Sequence, residues 1–286
     1  MRVSRVLRLS SSFVRITFIG DDVHEFGTAG LDQRIKLVLP VGGGFGDYGL
    51  LDEGSGMMDW YSNWRLLDDA ARNPIRTYTV RAVRPHLKEV DLDFVLHGDT
   101  GPASAWATSA VAGDEVVLVG PNALSDEVGG IEWHPGDAST VLLAGDETAV
   151  PAISAILESL PSHVSGHAFL EVPHVDDALQ VDTASQVGQT WLGREGAAVG
   201  SRLGPAVRQW IGSNVEPASG IEPDTVDIES GILWEVPGDG HGDFYAWFAG
   251  EAGVITDLRR FLVRDTGVDR RRVAFMGYWR SGRAEN

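Results

Sequence analysis

The first 120 residues alternate apolar and polar positions in short runs separated by Gly, Pro, Ser and Asp. Val6 to Leu9 and Phe13 to Phe18 flank a serine turn. Ile35 to Leu39 and Arg76 to Arg81 follow, and Val90 to Leu96 and Glu115 to Val119 complete the set. Period-two runs of β-branched and aromatic residues at this spacing predict strands of a small antiparallel barrel or sandwich. One helix is expected here, after Gly101-Pro102, because proline suits the first helical turn. The stretch from Gly42 to Asn73 is glycine-rich, then rich in Trp, Tyr, Asp and Arg. It is too long for a turn and reads as an insertion or flap at the barrel rim, with a short helix near Arg65 to Ala71.

After His134-Pro135-Gly136-Asp137 the pattern changes. Thr140 to Ala144 is an apolar strand, followed by a sharp turn and a helix in which Ile153, Ile156, Leu157 and Leu160 recur at helical spacing. Strands at His167 to Val172, near Thr190 to Leu192, Phe244 to Ala249 and Val273 to Tyr278 alternate with helices near Ser201 to Ile211 and Val254 to Val263. Such alternation predicts an open parallel sheet with helices on both faces. Asn214 to Glu229 lacks apolar periodicity and reads as a long exposed loop. The expected division is a barrel domain over 1–125 and an α/β domain over 137–286, with the boundary between Pro121 and Ala138. A barrel followed by a nucleotide-type α/β domain suits a protein in which one domain holds a flavin and the other brings a nicotinamide to it. That inference rests on architecture alone.

Composition narrows the function classes. No run of about 18 apolar residues is present, so no membrane span is expected, and the alternating N-terminus reads as strands rather than a signal peptide. The chain has no cysteine, which removes disulfides, cysteine-ligated clusters and thiol catalysis and agrees with a cytoplasmic location. The formal net charge of −18 argues against nucleic acid as a partner. One region runs the other way. Arg259, Arg260, Arg264, Arg270, Arg271, Arg272, Arg280 and Arg283 stand against Asp265 and Asp269. Either they steer an anionic ligand or they balance nearby carboxylates. A metal site is not expected, because the i, i+4 pair His163 and His167 leads into a strand rather than lying on a helix.

Two clusters carry candidate chemistry. In the strand NPIRTYTVR, Arg76 and Tyr78 share one face while Thr77 and Thr79 share the other. Arg76 suits a pyrophosphate through paired charge-assisted bonds, Tyr78 suits a ring, and Thr79 a ring nitrogen. An edge strand whose arginine pairs with an acidic neighbour explains the same residues. In DFVLHGDTGPASAWA, a strand runs into Gly101-Pro102-Ala103-Ser104 at a helix start, where free amides and the positive helix end favour a phosphate. His97 lies at the strand end, as a packed residue or a ligand contact.

Five ordered segments, RTYTVR (76–81), DFVLHGDTGPASAWA (93–107), LLAGDETAVPAI (142–153), WFAGEAGVITDLRRFL (247–262) and GYWRSGRAEN (277–286), resemble the siderophore-interacting protein family of ferredoxin-reductase-like flavoproteins. The resemblance spans the chain apart from the insertions at 42–73 and 214–242. It implies an antiparallel Greek-key-type FAD-binding barrel followed by an open parallel-sheet NAD(P)-binding-like domain. FAD would meet Arg76 at its pyrophosphate and Thr77, Tyr78 and Thr79 near the isoalloxazine. His97 and Gly98 would lie close by, and Gly101, Pro102, Ala103 and Ser104 would cradle the phosphates. Asp146, Thr148 and Ala149 would occupy the nicotinamide loop, with acidic Asp146 and Glu147 in place of further glycines. Glu251 and Trp279 would border the nicotinamide and flavin.

The resemblance implies an FAD-dependent reductase carrying electrons from NADH or NADPH to a ferric siderophore, with no side-chain acid, base or nucleophile required. Arg280, Arg283, Lys36 and Arg84 are candidates to meet an anionic chelate. Two other readings remain: a general flavin reductase, or one fed by ferredoxin, and a non-catalytic flavin-containing siderophore-binding protein. Nucleotide choice stays open. Glu171, Asp176 and Asp177 favour ribose hydroxyls, while Arg194 and Arg202 favour a 2′-phosphate if they fold nearby.

Overall fold

The computed structural model describes residues 1–52, 57–97, 101–125, 129–215, 233–237 and 242–282. Strands β1 (Arg2–Arg8), β2 (Phe13–Ile19), β3 (Arg34–Val38), β4 (Ile75–Arg84), β5 (Glu89–Val95) and β6 (Val117–Val119) form one antiparallel sheet in the order β1-β2-β5-β4-β3-β6. The jump from β2 to β3 across two intervening strands gives the Greek-key path. Its two ends meet, because Val3 donates to Asp114 O at 2.8 Å and Val116 donates to Met1 O at 3.0 Å. This pairing closes the sheet into a barrel and removes its open edges. Ile16, Phe18, Leu37, Val80, Leu92 and Phe94 fill the interior, as the period-two pattern requires.

The rim insertion carries helix α1 (Met57–Leu66), which starts and ends earlier than the sequence pattern suggests. Trp60 and Trp64, one turn apart, pack with Tyr48, and that apolar stripe sets the helix position. Asn73 anchors the return: its side chain donates to Leu39 O at 2.8 Å and accepts from Gly46 N at 2.9 Å. Helix α2 (Pro102–Ser109) follows β5.

Strands β7 (Thr140–Gly145), β8 (Ser165–Val172), β9 (Gln186–Gly193), β10 (Trp234–Glu235), β11 (Phe244–Glu251) and β12 (Val273–Trp279) form the second sheet, in the order β10-β12-β11-β7-β8-β9. All are parallel to their neighbours except β10, a two-residue antiparallel edge too short to show in the sequence pattern. Helix α3 (Val150–Ser159) covers the face carrying Val141, Leu143, Ala168 and Trp247. Helices α4 (Leu203–Asn214) and α5 (Ala252–Arg259) cover the face carrying Leu142, Ala144, Phe169 and Phe248. After Arg259 the helix loosens into a π-helical turn, Arg260–Asp265. The loop expected at 214–229 lies outside the described residues beyond Val215.

Two buried carboxylates tie the barrel to the sheet. Asp32, from the barrel, accepts from the amides of Glu132 (3.0 Å) and Trp133 (3.2 Å) and from Trp247 Nε1 (3.0 Å). Asp177, from the turn after β8, accepts from the hydroxyls of Ser10, Ser11 and Ser12 at 2.7–2.8 Å and from Ser12 N at 2.9 Å. Burial would raise the Asp177 carboxyl, but the bonds from Ser12, Ser10 and Ser11 bring it down to about 2. Arg81 of β4 adds a bond to Glu158 of α3 at 2.8 Å.

Candidate cofactor site

On β4, Arg76 and Tyr78 stand opposite Leu37 and Ile35 of β3, while Thr77 and Thr79 stand opposite Lys36 and Arg34. The half-buried Tyr78 ring packs against Phe94, centroids 4.5 Å apart. Thr79 is buried, and Thr77 is exposed and accepts from Lys36 Nζ at 2.8 Å. Arg76 is half-buried and bonds the carbonyl of Ile75 at 2.8 Å. Among the described residues no carboxylate pairs with it. The acidic neighbour that would have made Arg76 an ordinary strand cation is therefore missing, whereas Arg84, eight residues on, is tied to both oxygens of Asp91.

Helix α2 packs on β5, the strand that pairs with β4. Phe94 of β5 touches both Tyr78 and Trp106 of α2, at 4.5 and 5.9 Å between centroids. Pro102 opens the helix, and Gly101 before it has extended backbone and no side-chain cap. A Cβ placed on Gly101 would meet no heavy atom within 4 Å, so the space beside the helix start is open. Ala103 and Ser104 are buried, and Ser104 Oγ accepts from His97 N at 2.9 Å. Gly98 lies outside the described residues. An arginine without an acidic partner among the described residues and an uncapped helix start are the donor types a pyrophosphate needs. The residues present fit FAD.

The carboxyl edge of the second sheet is built differently. Asp146, 1% exposed, is a hub. It accepts from Thr148 N (2.9 Å), Glu251 N (2.7 Å) and Trp279 Nε1 (2.8 Å), and from the Thr148 hydroxyl. The structure thus brings Asp146, Thr148, Glu251 and Trp279 together, with the Asp146 carboxylate turned inward. Burial, then the nearby Glu147, pushes that carboxyl up to about 6. Glu251 caps α5 through Val254 N (2.9 Å) and holds the chain after β12 through Ser281 N (3.2 Å). Ala149 is fully buried in the core beneath α3.

Glu147 pairs with Arg194, at the end of β9, through two bonds, one of them 2.8 Å. Glu171, wholly buried at the end of β8, accepts from the amides of Gly200 (2.6 Å), Arg202 (2.8 Å) and Leu203 (3.0 Å). It caps α4 rather than facing solvent. His97 of the barrel feels this edge: burial lowers its pKa, Glu147 opposes the shift and Arg194 adds to it. His97 at the end of β5 therefore lies within electrostatic range of the sheet edge. The hub role of Asp146 and the clamps at Asp32 and Asp177 have no signature in the sequence, because their partners lie tens to hundreds of residues away.

The arginine-rich C-terminal region is partly neutralised: Arg259 pairs with Glu235, Arg260 with Asp257 and Arg271 with Asp269. Arg280 is exposed, and Arg283 lies outside the described residues. No helix among the described residues is long and apolar enough to cross a membrane.

A closed antiparallel barrel joined to a parallel sheet defines a ferredoxin-reductase-like fold. Residues 2–125 match the model of the siderophore-interacting FAD-binding domain, and residues 138–282 match that of the siderophore-interacting protein. The chain belongs to the siderophore-interacting protein family. It is 35% identical over 77% of its length, and 69% of the relative, to an uncharacterized protein of Mycobacterium tuberculosis. Two longer matches are the ferric vibriobactin reductase ViuB of Vibrio cholerae (27% identical; 97% of this chain, 87% of the relative) and the NADPH-dependent ferric-chelate reductase of Escherichia coli (28%; 98% and 91%). Among solved structures, a siderophore utilization protein from T. fusca superposes with a TM-score of 0.70 at 26% identity, over 99% of this chain and 92% of that one.

Proposed function

We propose that the protein is a cytoplasmic, FAD-dependent reductase of ferric siderophores, taking electrons from NADH or NADPH and releasing iron as Fe(II). The observation that carries this reading is Arg76, a half-buried cation without an acidic partner among the described residues. In this reading Arg76 and the first amides of α2 hold the FAD pyrophosphate. Tyr78 and Thr79 border the flavin ring, and Trp279, held by Asp146, closes the opposite side. Bound there, FAD would supply acceptance of one hydride, two electrons, and their release one at a time, which suits a one-electron acceptor such as Fe(III). The side chains bind, orient and exclude water, and none is required to move a proton.

One reduced nicotinamide thus supplies two Fe(III) centres. Hard oxygen chelators hold Fe(II) far less well than Fe(III), so reduction releases the metal. An anionic chelate would find exposed cations at Lys36, beside Thr77, and at Arg280. The relatives named as ferric-chelate reductases support the same chemistry.

The test is an anaerobic titration of the purified flavoprotein with NADH and NADPH, followed by turnover with a ferric siderophore and a ferrous trap. Bleaching of the flavin and many equivalents of trapped Fe(II) per protein are expected. Flavin that bleaches only with reduced ferredoxin would replace the donor, and absence of turnover would leave a binding protein. Arg76→Ala should fold normally yet lose flavin on gel filtration, with FAD affinity reduced about tenfold or more. Full flavin retention would remove Arg76 from the site.

A further inference from the structure

The two outer strands of the second sheet are built differently. β10, at one end, is two residues long, and so short a strand offers little for another chain to pair with. β9, at the other end, presents eight residues, Gln186–Gly193, with no proline and no charged side chain. Charges and prolines are the usual devices that keep an exposed strand from pairing. We propose that β9 is a self-association edge. It pairs antiparallel with β9 of a second copy of this chain, about a two-fold axis at Gln189, and joins two six-stranded sheets into one.

The backbone groups that this pairing needs point outward. Gln186 N donates to Val164 O at 2.8 Å and Arg194 N to Val172 O at 2.9 Å, both on the β8 side. The ladder between them runs without a bulge, so every second residue, Gly188, Thr190 and Leu192, also turns its N–H toward β8. Val187, Gln189 and Trp191 turn theirs away from it. Among the described residues, neither Gln189 N nor Trp191 N meets an acceptor, and Val187 N has only the Ser185 hydroxyl, at 3.3 Å.

The side chains select the register and the occupant. With the axis at Gln189, Val187 stands opposite Trp191 of the partner subunit, and Trp191 opposite the partner subunit's Val187. One aromatic–β-branched pair therefore forms twice. Val187 and Trp191 belong to the core on the α3 side of the sheet, so the pairing extends that layer across the axis. Gln189 meets its own copy: Val181 O takes one amide hydrogen at 3.1 Å, and Oε1 and the second hydrogen remain for the partner. The flanking charges miss one another. Arg194 falls opposite the partner subunit's Ala184, Glu195 opposite the partner subunit's Thr183, and Asp182 opposite the partner subunit's Gly196. A chain of net charge −18 repels its copy over most of its surface, so an uncharged strand is where two copies approach with least repulsion. An axis at Thr190 would instead bring the partner onto Gly193, where Val175 crowds the strand: a Cβ on Gly193 would stand 2.6 Å from Val175 N. This match of the strand to itself makes a second copy, and not an unrelated strand, the occupant.

The test is sedimentation equilibrium of the full chain over about 1 to 200 μM, because one strand pair is a small interface and a micromolar dimer is expected. The mass should rise with concentration from 30.8 kDa toward twice that value. Gln189→Pro removes the central outward N–H while leaving the β8 ladder whole, and should weaken the dimer about tenfold or more. Gln189→Lys and Gln189→Glu each set like charges opposite one another at the axis, and each alone should be monomeric. An equimolar mixture of the two should recover the dimer, since opposite charges then meet. Both charge variants keep every backbone group, so the mixture decides the matter even if the proline variant fails to fold. A wild type that stays monomeric, an assembly of another size, a dimer indifferent to Gln189→Lys, or a mixture that stays monomeric would overturn the proposal.

Discussion

The barrel rim and the carboxyl edge of the second sheet treat charge in opposite ways. On the rim, Arg76 has no acidic partner among the described residues, and α2 starts without a side-chain cap. On the edge, Asp146, Glu147, Glu171 and Glu251 all have protein partners. A buried charge that the protein satisfies is part of the scaffold, whereas one left for a partner is a binding determinant. The acidic residues in place of a glycine-rich loop are thus a framework that holds the carboxyl ends of β7, β8, β9 and β11 in register. This explains why a motif reading centred on that loop says little about how the nucleotide is held.

Substitutions can break this contrast. The largest effect is expected at Asp146, where Asp146→Ala would leave three N–H donors and the Thr148 hydroxyl without their acceptor. The cost should be about 3 kcal/mol, lowering the melting temperature by about 8 °C. Unchanged melting would mean the carboxylate is not structural and is available to a ligand. Its pH dependence has a defined sign. Because its folded pKa of about 6 lies above the ordinary 3.8, Asp146 makes the fold less stable as pH rises from about 4 to about 6. The substituted protein should lose that slope in urea titrations across the same window.

Asp177 carries the opposite sign. Its carboxyl, at about 2 in the folded protein against an ordinary 3.8, contributes stability that is present above about 4 and lost as pH falls toward about 2. Asp177→Asn should cost about 2 kcal/mol at neutral pH and flatten the acid limb of the unfolding curve. An unaltered acid limb would show that the serine turn does not hold the two parts together. The smallest effect is expected at Glu158→Gln. The partly exposed bond to Arg81 contributes roughly 0.5 kcal/mol, and Arg81 keeps Asp93 at 3.7 Å. A loss above about 2 kcal/mol would make that contact a third clamp, contrary to its solvent exposure.

Much of the fold was legible because periodicity reports burial directly. Val14, Ile16 and Phe18 alternate into the barrel, and the run Thr140 to Ala144 is buried on both sides, as the second strand type requires. The helix near Arg65 to Ala71 was misplaced because the signal that positions it is a Trp60–Trp64 stripe docking on Tyr48, a contact made across the chain. β10 was missed because two residues carry no period. Of the candidate site, Arg76 and the helix start at Gly101 are what residue type and setting nominate. Glu171 and Asp177 were expected to face a ribose, yet the structure gives both carboxylates to the protein's own donors.

What the sequence determined alone is local: strand and helix periods, a proline-opened helix and the order of five motifs. These depend on residues near one another in the chain. Whether a charged side chain is spent or available was decided by tertiary structure, since the partners that consume it lie far away in sequence. Asp146 is 133 residues from Trp279, and Asp177 is 165 from Ser12. Only folding brings those groups within hydrogen-bond reach. For the same reason only the folded chain shows Arg76 to be a charge without an acidic partner among the described residues.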